Sequence, residues 1–369
     1  MAVTLLVEPD TGGHRFQAVG NVALLARRRG DRPVLLTSVG ATRRDEYAVY
    51  LDGLGIETHE VYSAERPATR ELAAEIAGYC RAHDVATVVV MDADHALKRW
   101  WWAAARAFRG LPRRPRVIFM LTRYPARLRL TDRFGWLLRV SKGTLALAAM
   151  ATGTLHRVAG FAGREDLSTG WLVKRARDPA ICTFHSGDRA AIRAELGLPA
   201  DRRLVGVFGV MSLRKNAPLV LAALQQARTE ADLVLAGLVK PDMAAWLDGL
   251  DPEIRARVIV RDGYLANDVL DRYVAAVDAV VIALTNNGPS GIMGKALAAE
   301  VPVVSAGSVV RARELAATGG GLAAELSAAS IAAAVDRLLT APSGQHRGGS
   351  VPPATAEEFA GVLLGPPHA

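Results

Sequence analysis

The stretch of this 369-residue chain best suited to chemistry is Asn286-Asn287-Gly288-Pro289-Ser290-Gly291-Ile292-Met293-Gly294-Lys295-Ala296-Leu297. An apolar run, Val280–Leu284, enters a Gly/Pro/Ser loop that opens a helical pattern, and another β-branched run begins at Val301. A helix that starts in such a loop offers unpaired backbone N–H groups and the positive end of its dipole to an anion such as phosphate. Ser290 can cap that helix or bond a phosphate oxygen. Read as a plain turn and cap, Ser290 and Gly291 need no ligand. In the same half, the run Leu204–Val210 leads into Met211-Ser212-Leu213-Arg214-Lys215-Asn216 and another helical pattern. Arg214 as a fork and Lys215 as a point charge suit a diphosphate, although the pair also fits a solvated loop.

The first half holds candidate proton-transfer groups. His14 stands beside Gly12 and Gly13 after the run Val3–Val7, and Asp92, Asp94 and His95 follow the run Val85–Met91. Side chains at the carboxyl ends of strands face the usual ligand crevice of an α/β fold. Asp92 or Asp94 would equally serve as the cap of the next helix. Beyond them, Lys98-Arg99-Trp100-Trp101-Trp102 opens a basic block with thirteen Lys or Arg residues and one acid, Asp132, between Lys98 and Lys142. Tryptophans beside cations suit an anionic membrane surface, so Lys98–Arg116 is a candidate docking region. The alternative has the indoles packed on a sheet and the arginines solvated. No recognition helix, metal finger or RNA-binding signature accompanies the charge, so nucleic acid is not an expected partner.

These residues need strands and helices to position them. Strands are expected at Val3–Val7, Val34–Thr37, Val85–Met91 and Val117–Leu121, with helices at Phe16–Arg29 and Glu71–His83. The second half repeats the pattern, with strands at Leu204–Val210, Asp232–Ala236, Val258–Val260, Ala279–Ala283 and Val301–Ser305. Its helices are expected at Ala217–Arg228, Ala266–Val277 and Ile292–Ala299. Strands apolar on both faces and alternating with helices imply an α/β fold with parallel sheets. The length suits two domains. Their join is expected near Asp178–Gly187, where Asp178-Pro179 breaks regular structure. The expected domains are 1–180 and 181–340, each Rossmann-like, followed at 341–369 by a Gly/Pro/Ser-rich linker and a short helix at Ala356–Leu364.

Composition bounds the setting. Half the residues are hydrophobic and 22% charged, as in a soluble globular chain, and the formal net charge is +8. Cys80 and Cys182 show no metal-ligand spacing, and the first apolar run stops at Glu8. No stretch approaches the ~20 apolar residues of a membrane span. The expected location is cytoplasmic, with peripheral docking on the inner membrane face as an option.

Taken in order, these motifs resemble the retaining glycosyltransferases of family 4, whose GT-B architecture sets two Rossmann-like domains facing across a cleft. The resemblance rests on Gly12-Gly13-His14 with Arg29-Gly30-Asp31-Arg32-Pro33-Val34, and on Asp178-Pro179 with Leu196-Gly197-Leu198-Pro199. It continues through Phe208-Gly209 to Lys215-Asn216, Asp271-Arg272-Tyr273, and Ser290-Gly291 to Val301-Pro302-Val303-Val304. It implies transfer of a sugar from a nucleotide diphosphate sugar to a small-molecule or lipid-linked acceptor, with retention, and with the donor as co-substrate in place of any metal or other cofactor. By resemblance Lys215, with Arg214, contacts the donor diphosphate; Ser290, Gly291 and Ile292 offer it N–H groups; and Gly12 or Gly13 closes over it. If a general base is used, His14 or Asp94 is the candidate. Two positions depart from the family: Asn287 and Lys295 replace glutamates expected near the donor sugar and the ribose. A lysine cannot accept hydroxyl hydrogen bonds. Ribose recognition therefore differs, or Lys295 adds charge near the phosphates. A third departure, Thr122-Arg123-Tyr124 where a histidine is common, leaves no catalytic histidine there. A non-catalytic subunit of the same fold, or a sugar-nucleotide epimerase or phosphorylase, is the competing expectation.

Overall fold

The computed structural model describes residues 2–12, 15–124, 133–179, 181–286, 290–342, 345–346 and 354–366. Gly13, His14 and Asn287 lie outside the described residues. The chain divides into two compact units: residues 1–162, 166–177 and 355–369 form the first, and 163–165 with 178–354 the second.

Unit 1 opens with β1 (Val3–Val7), α1 (Arg15–Arg28), β2 (Arg32–Ser38), α2 (Asp45–Tyr50), β3 (Glu57–Tyr62) and α3 (Thr69–Ala82). It continues with β4 (Val85–Val90), α4 (Leu97–Ala107), β5 (Arg116–Leu121), α5 (Arg133–Ala151), β6 (Arg157–Ala162) and β7 (Val173–Arg177). The seven strands form one parallel sheet in the order β3-β2-β1-β4-β5-β6-β7. Central strands β1 and β4 are buried along their whole length, as expected for runs such as Val-Thr-Leu-Leu-Val covered by helices on both faces. Trp100, expected at a wet interface with Trp101 and Trp102, is instead a core residue. Its ring packs on Phe108 and Phe119, and its indole N–H reaches Thr154 O at 3.0 Å. Only one face of α4 can look outward, so consecutive tryptophans are divided between core and surface.

Unit 2 runs α6 (Arg189–Leu196), β8 (Leu204–Phe208), α7 (Ala217–Gln226), β9 (Asp232–Gly237), α8 (Pro241–Asp248), α9 (Pro252–Arg255) and β10 (Val258–Asp262). There follow α10 (Asn267–Ala276), β11 (Ala279–Ala283), α11 (Gly291–Ala298), β12 (Val303–Ala306), α12 (Val309–Thr318), β13 (Gly321–Ala324) and α13 (Ala328–Thr340). Its sheet is also parallel, in the order β10-β9-β8-β11-β12-β13. The last helix, α14 (Ala356–Leu364), carries a complete capping box between Thr355 and Glu358 and packs within unit 1. There Phe359 stacks on Phe161, and Arg177 pairs with Glu358 at 2.6 Å.

Both sheets reverse direction at their centre. After β1 the chain builds outward through β2 and β3, then returns to lay β4 on the other side of β1; β8 and β11 repeat this in unit 2. Loops leaving the carboxyl ends of β1 and β4, or of β8 and β11, therefore diverge and leave a crevice where such sheets bind ligands.

Candidate functional site

In unit 2 the crevice is bordered by the loop after β8, which carries Arg214 and Lys215, and the loop after β11, which leads to Ser290. The first loop ends in a short turn, Leu213–Lys215, followed by Asn216 at φ 54°. Asparagine tolerates this left-handed conformation. Its Nδ2 donates to Ala283 O at 2.7 Å, tying the basic loop to the end of β11.

Lys215 is half-buried, and its Nζ donates to the carbonyl of Phe208 at 3.0 Å. Among the described residues no carboxylate lies within ion-pair distance of it. Burial, followed by the positive charges of Arg214 and Arg311, lowers its pKa to about 8. A half-buried ammonium with two cations near it lacks the counter-charge that such groups normally have. Arg214 is exposed at the same turn.

The second loop ends at the N-terminus of α11. Ser290 is the cap: its Oγ accepts from Met293 N at 3.3 Å. The N–H groups of Gly291 and Ile292 have no acceptor among the described residues, so the first turn keeps two donors and its dipole for an anion.

Two arginines that sequence reasoning did not single out hold this loop. Arg311, fully buried on α12, donates to Asn286 O and Oδ1 at 3.0 Å, to Ser305 Oγ at 3.1 Å, and to Leu284 O. Arg164 comes from the short segment 163–165 that joins unit 2. It donates to Asp178 at 2.6 Å, Glu314 at 2.8 Å and the Ser290 carbonyl at 3.1 Å. Burial works against its charge, but the two carboxylates outweigh it and raise its pKa. Gly294 is glycine for a steric reason: a Cβ there would lie 2.4 Å from Arg164 Nη2. No local signal in the sequence marks either arginine, because each acts on a segment distant along the chain.

Lys295 faces away from solvent. Its Nζ pairs with Asp271 Oδ1 on α10 at 2.5 Å, and Asp271 Oδ2 accepts from Thr183 N and Oγ1. The signal was present in the sequence as an unmatched acid on the preceding helix, since a buried lysine needs such a partner.

In unit 1, Gly12 N donates to Asp10 Oδ1 at 2.9 Å. Neither Asp92 nor Asp94 caps α4, whose N-cap is Ala96 without a side-chain cap. Asp94 is committed elsewhere: it pairs with the buried Lys142 and accepts from Thr122 Oγ1 and Arg123 N, both at 2.9 Å. Asp92 accepts from Arg15 at 2.5 Å and Thr122 at 3.1 Å. Burial raises its pKa, but these partners prevail and leave it below the usual value. The residue that stands out is one the sequence reading passed over. Glu8, just past β1, is 1% exposed, and its pKa is raised to about 8 by burial, against the charge of Arg15.

Residues 202–341 match the family model described as glycosyl transferases group 1. No curated protein sequence matches the chain. Among solved structures, HepE from Anabaena in complex with UDP is similar at 16% identity and a TM-score of 0.63, covering 99% of this chain and 96% of its own. Sucrose-phosphate synthase from Thermosynechococcus elongatus gives 15%, 0.62, 99% and 94%. A glycosyltransferase from Rickettsia africae gives 12%, 0.65, 98% and 93%. The chain therefore has the two-domain GT-B fold of these structures, and within its second unit lies the match to the glycosyl transferases group 1.

Proposed function

We propose that the protein is a glycosyltransferase that takes a hexosyl group from a nucleotide diphosphate sugar and passes it to a hydroxyl of a small-molecule or lipid-linked acceptor. The observation that carries this reading is the half-buried Lys215 without a counter-charge, at the same crevice as the free N–H groups of α11. A diphosphate supplies the missing negative charge. Retention and independence of metal are part of the proposal: Lys215, Arg214 and the first turn of α11 would stabilise the departing diphosphate, which can itself take the acceptor proton. The UDP in the HepE structure makes uridine the first base to test. Asn287 and Gly13, by resemblance, complete the donor contacts, and His14 or Asp94 is the base if one is used. Asp94 then has to share its carboxylate with Lys142.

UDP at about 100 times its dissociation constant is expected to stabilise the protein by about 2.7 kcal/mol in a thermal-shift experiment. No shift with UDP, GDP, ADP or TDP would sink the proposal. A non-catalytic member, motivated by Asn287 and Lys295, would instead bind the nucleotide without cleaving or transferring the sugar. Product analysis with UDP-glucose separates that reading, and an epimerase or phosphorylase, from transfer.

Peripheral docking on an anionic bilayer is favoured by a specific observation. On α5, Phe134, Leu137 and Val140 form one stripe, exposed by 75%, 68% and 58%. Trp136 beside them is covered in part by Arg139, and α4, which packs on α5, exposes Trp101 and Trp102 among Lys98, Arg99 and Arg106. Among the described residues no helix is long and apolar enough to cross a membrane. The protein should sediment with vesicles containing phosphatidylglycerol and not with pure phosphatidylcholine vesicles, since each basic residue near an anionic surface adds about 1 kcal/mol. Phe134→Ser/Leu137→Ser/Val140→Ser should weaken that binding at least tenfold; unchanged sedimentation would rule the surface out.

A further inference from the structure

A cavity of about 180 Å³ opens in unit 2 between α7 and α9. It is lined by Ala231, just ahead of β9, and Arg257, just ahead of β10, and so lies at the amino ends of these strands. The candidate donor loops leave the carboxyl ends of the same parallel sheet, which makes this a separate place. Its floor is apolar. Leu221 and Leu224 on α7 and Ala231 belong to the buried core, and Ile254 on α9 packs against them. Protein interiors are close-packed, and a void among such side chains lowers stability in step with its volume. A cavity of roughly 150 Å³ with an aliphatic and aromatic lining takes up benzene. A branched or aromatic side chain therefore fits here.

Two opposite charges stand at the mouth. Glu253 and Arg257 are one turn apart, because Ala256 continues α9 in helical geometry and Arg257 N donates to Ile254 O at 3.0 Å. Side chains at this spacing lie roughly 5–6 Å apart at Cβ and commonly pair. These two do not: among the described residues no cation lies within ion-pair distance of Glu253. Arg257 is held from behind instead. Its Nη2 donates to Ala231 O at 2.9 Å, and its Nε faces Asp232 Oδ1 at 3.4 Å. Nη1 makes no hydrogen bond among the described residues and meets only Glu230 Oε1, at 3.8 Å, on a side chain that is 81% exposed. The mouth thus presents an oriented cationic donor and a free carboxylate, neighbours on one turn, above an apolar space. A molecule with a carboxylate, an ammonium and an apolar branch on one carbon matches all three features. A ligand with a single charge, a peptide terminus included, leaves one of the two groups unanswered.

We propose that this cavity binds a free amino acid with an apolar side chain, of the size of leucine or phenylalanine. The side chain enters between α7 and α9, Arg257 Nη1 takes the α-carboxylate, and Glu253 takes the α-ammonium. This goes beyond the transferase reading and does not rest on it.

Saturation-transfer difference NMR titrations of the full chain test it. L-leucine and L-phenylalanine are compared with isocaproate and hydrocinnamate, which lack the ammonium, with isoamylamine and phenethylamine, which lack the carboxylate, and with glycine, which lacks the side chain. At least one of the two amino acids should bind about tenfold more tightly than its own one-charge analogues, and glycine should show no transfer. Glu253→Gln should weaken the amino acid about tenfold and leave isocaproate and hydrocinnamate unchanged, since neither has an ammonium to lose a partner. Glu253 is exposed and its side chain has no partner among the described residues, so the melting temperature of this variant should stay that of the parent. Arg257→Gln, which can still donate to Ala231 O, should weaken the amino acids and the acids and spare the amines. Absence of transfer with both amino acids, affinities no higher than those of the one-charge analogues, or an equal loss for amino acids and acids in Glu253→Gln would overturn the proposal. UDP thermal shift is read in parallel, and its absence in the parent protein counts against the transferase reading alone.

Discussion

Lys215→Met is expected to lower UDP affinity by one to two orders of magnitude while raising the melting temperature of the free protein. The two effects have one cause. In the free protein the ammonium of Lys215 sits half-buried on a carbonyl oxygen, with Arg214 and Arg311 adding to its cost. Methionine fills similar volume without the charge, so the desolvation and repulsion vanish. With nucleotide bound, the ammonium would instead face phosphate oxygens, and a charge-assisted hydrogen bond of this kind contributes about 1.5–3 kcal/mol. A lysine whose role is structural would give the opposite result, lower stability and unchanged UDP binding.

The pH dependence follows from the same group. Its folded pKa of about 8 lies below the ordinary lysine value of 10.5, so the unfolded chain holds more protons between these limits. Lys215 therefore destabilises the free protein fully below about pH 8, and that penalty fades as pH rises toward 10.5. Binding runs the other way. Phosphate selects the charged form, so UDP affinity should be level below pH 8 and then decline toward tenfold per pH unit. Isothermal titration calorimetry in two buffers of different ionisation enthalpy should record proton uptake on binding between pH 8 and 9. In Lys215→Met that uptake disappears; if it persists, another group titrates.

Much of the fold was legible because parallel strands covered on both faces must be continuously apolar. Val85–Val90 is buried at every position, and the expected strands at β1, β5, β8, β9 and β11 lie where the apolar runs are. The reading passed over β3, β7 and β13, which are edge strands with one neighbour each, so Glu-Thr-His-Glu-Val-Tyr or Val-Lys-Arg-Ala-Arg can form them without a hydrophobic signal. It also passed over the interior strand β6, whose short run Arg-Val-Ala-Gly-Phe-Ala is interrupted by a glycine. The terminal helix Ala356–Leu364 was readable, yet its return to unit 1 was not, since the partners of its apolar face and of Glu358, among them Phe16, Val19, Phe161 and Arg177, lie far away along the chain. Within the candidate donor site, the loops carrying Lys215 and Ser290 stand out locally by their composition. Arg164 and Arg311 do not, because a buried arginine is defined by carbonyls and carboxylates it meets only after folding.

Lys295 shows why a single family-like substitution should fail. Where the resemblance expects a glutamate, Lys295→Glu would place its carboxylate against Asp271, which is itself 1% exposed. The present pair is compensated: Lys295 on one oxygen of Asp271, the Thr183 amide and hydroxyl on the other. Replacing the cation by an anion removes the attraction and adds repulsion in a buried site, which costs about 3–5 kcal/mol when only one partner changes. The melting temperature should fall by roughly 10 °C, measurable by calorimetry. The acid would also stay partly protonated at neutral pH and so make a poor ribose acceptor. The swapped pair Asp271→Lys/Lys295→Glu should recover part of the loss, although the Thr183 donors then face an ammonium and prevent full recovery. Asp271→Asn, which leaves Lys295 buried beside a neutral amide, should be destabilised as well, with the lysine tending to lose its proton. If Lys295→Glu alone proves as stable as the parent and binds UDP more tightly, the ion pair is dispensable and the position serves the ribose directly. The geometry predicts the reverse: at this position the lysine holds α11 to α10, and in the proposed donor site the hydroxyl acceptors would come from elsewhere.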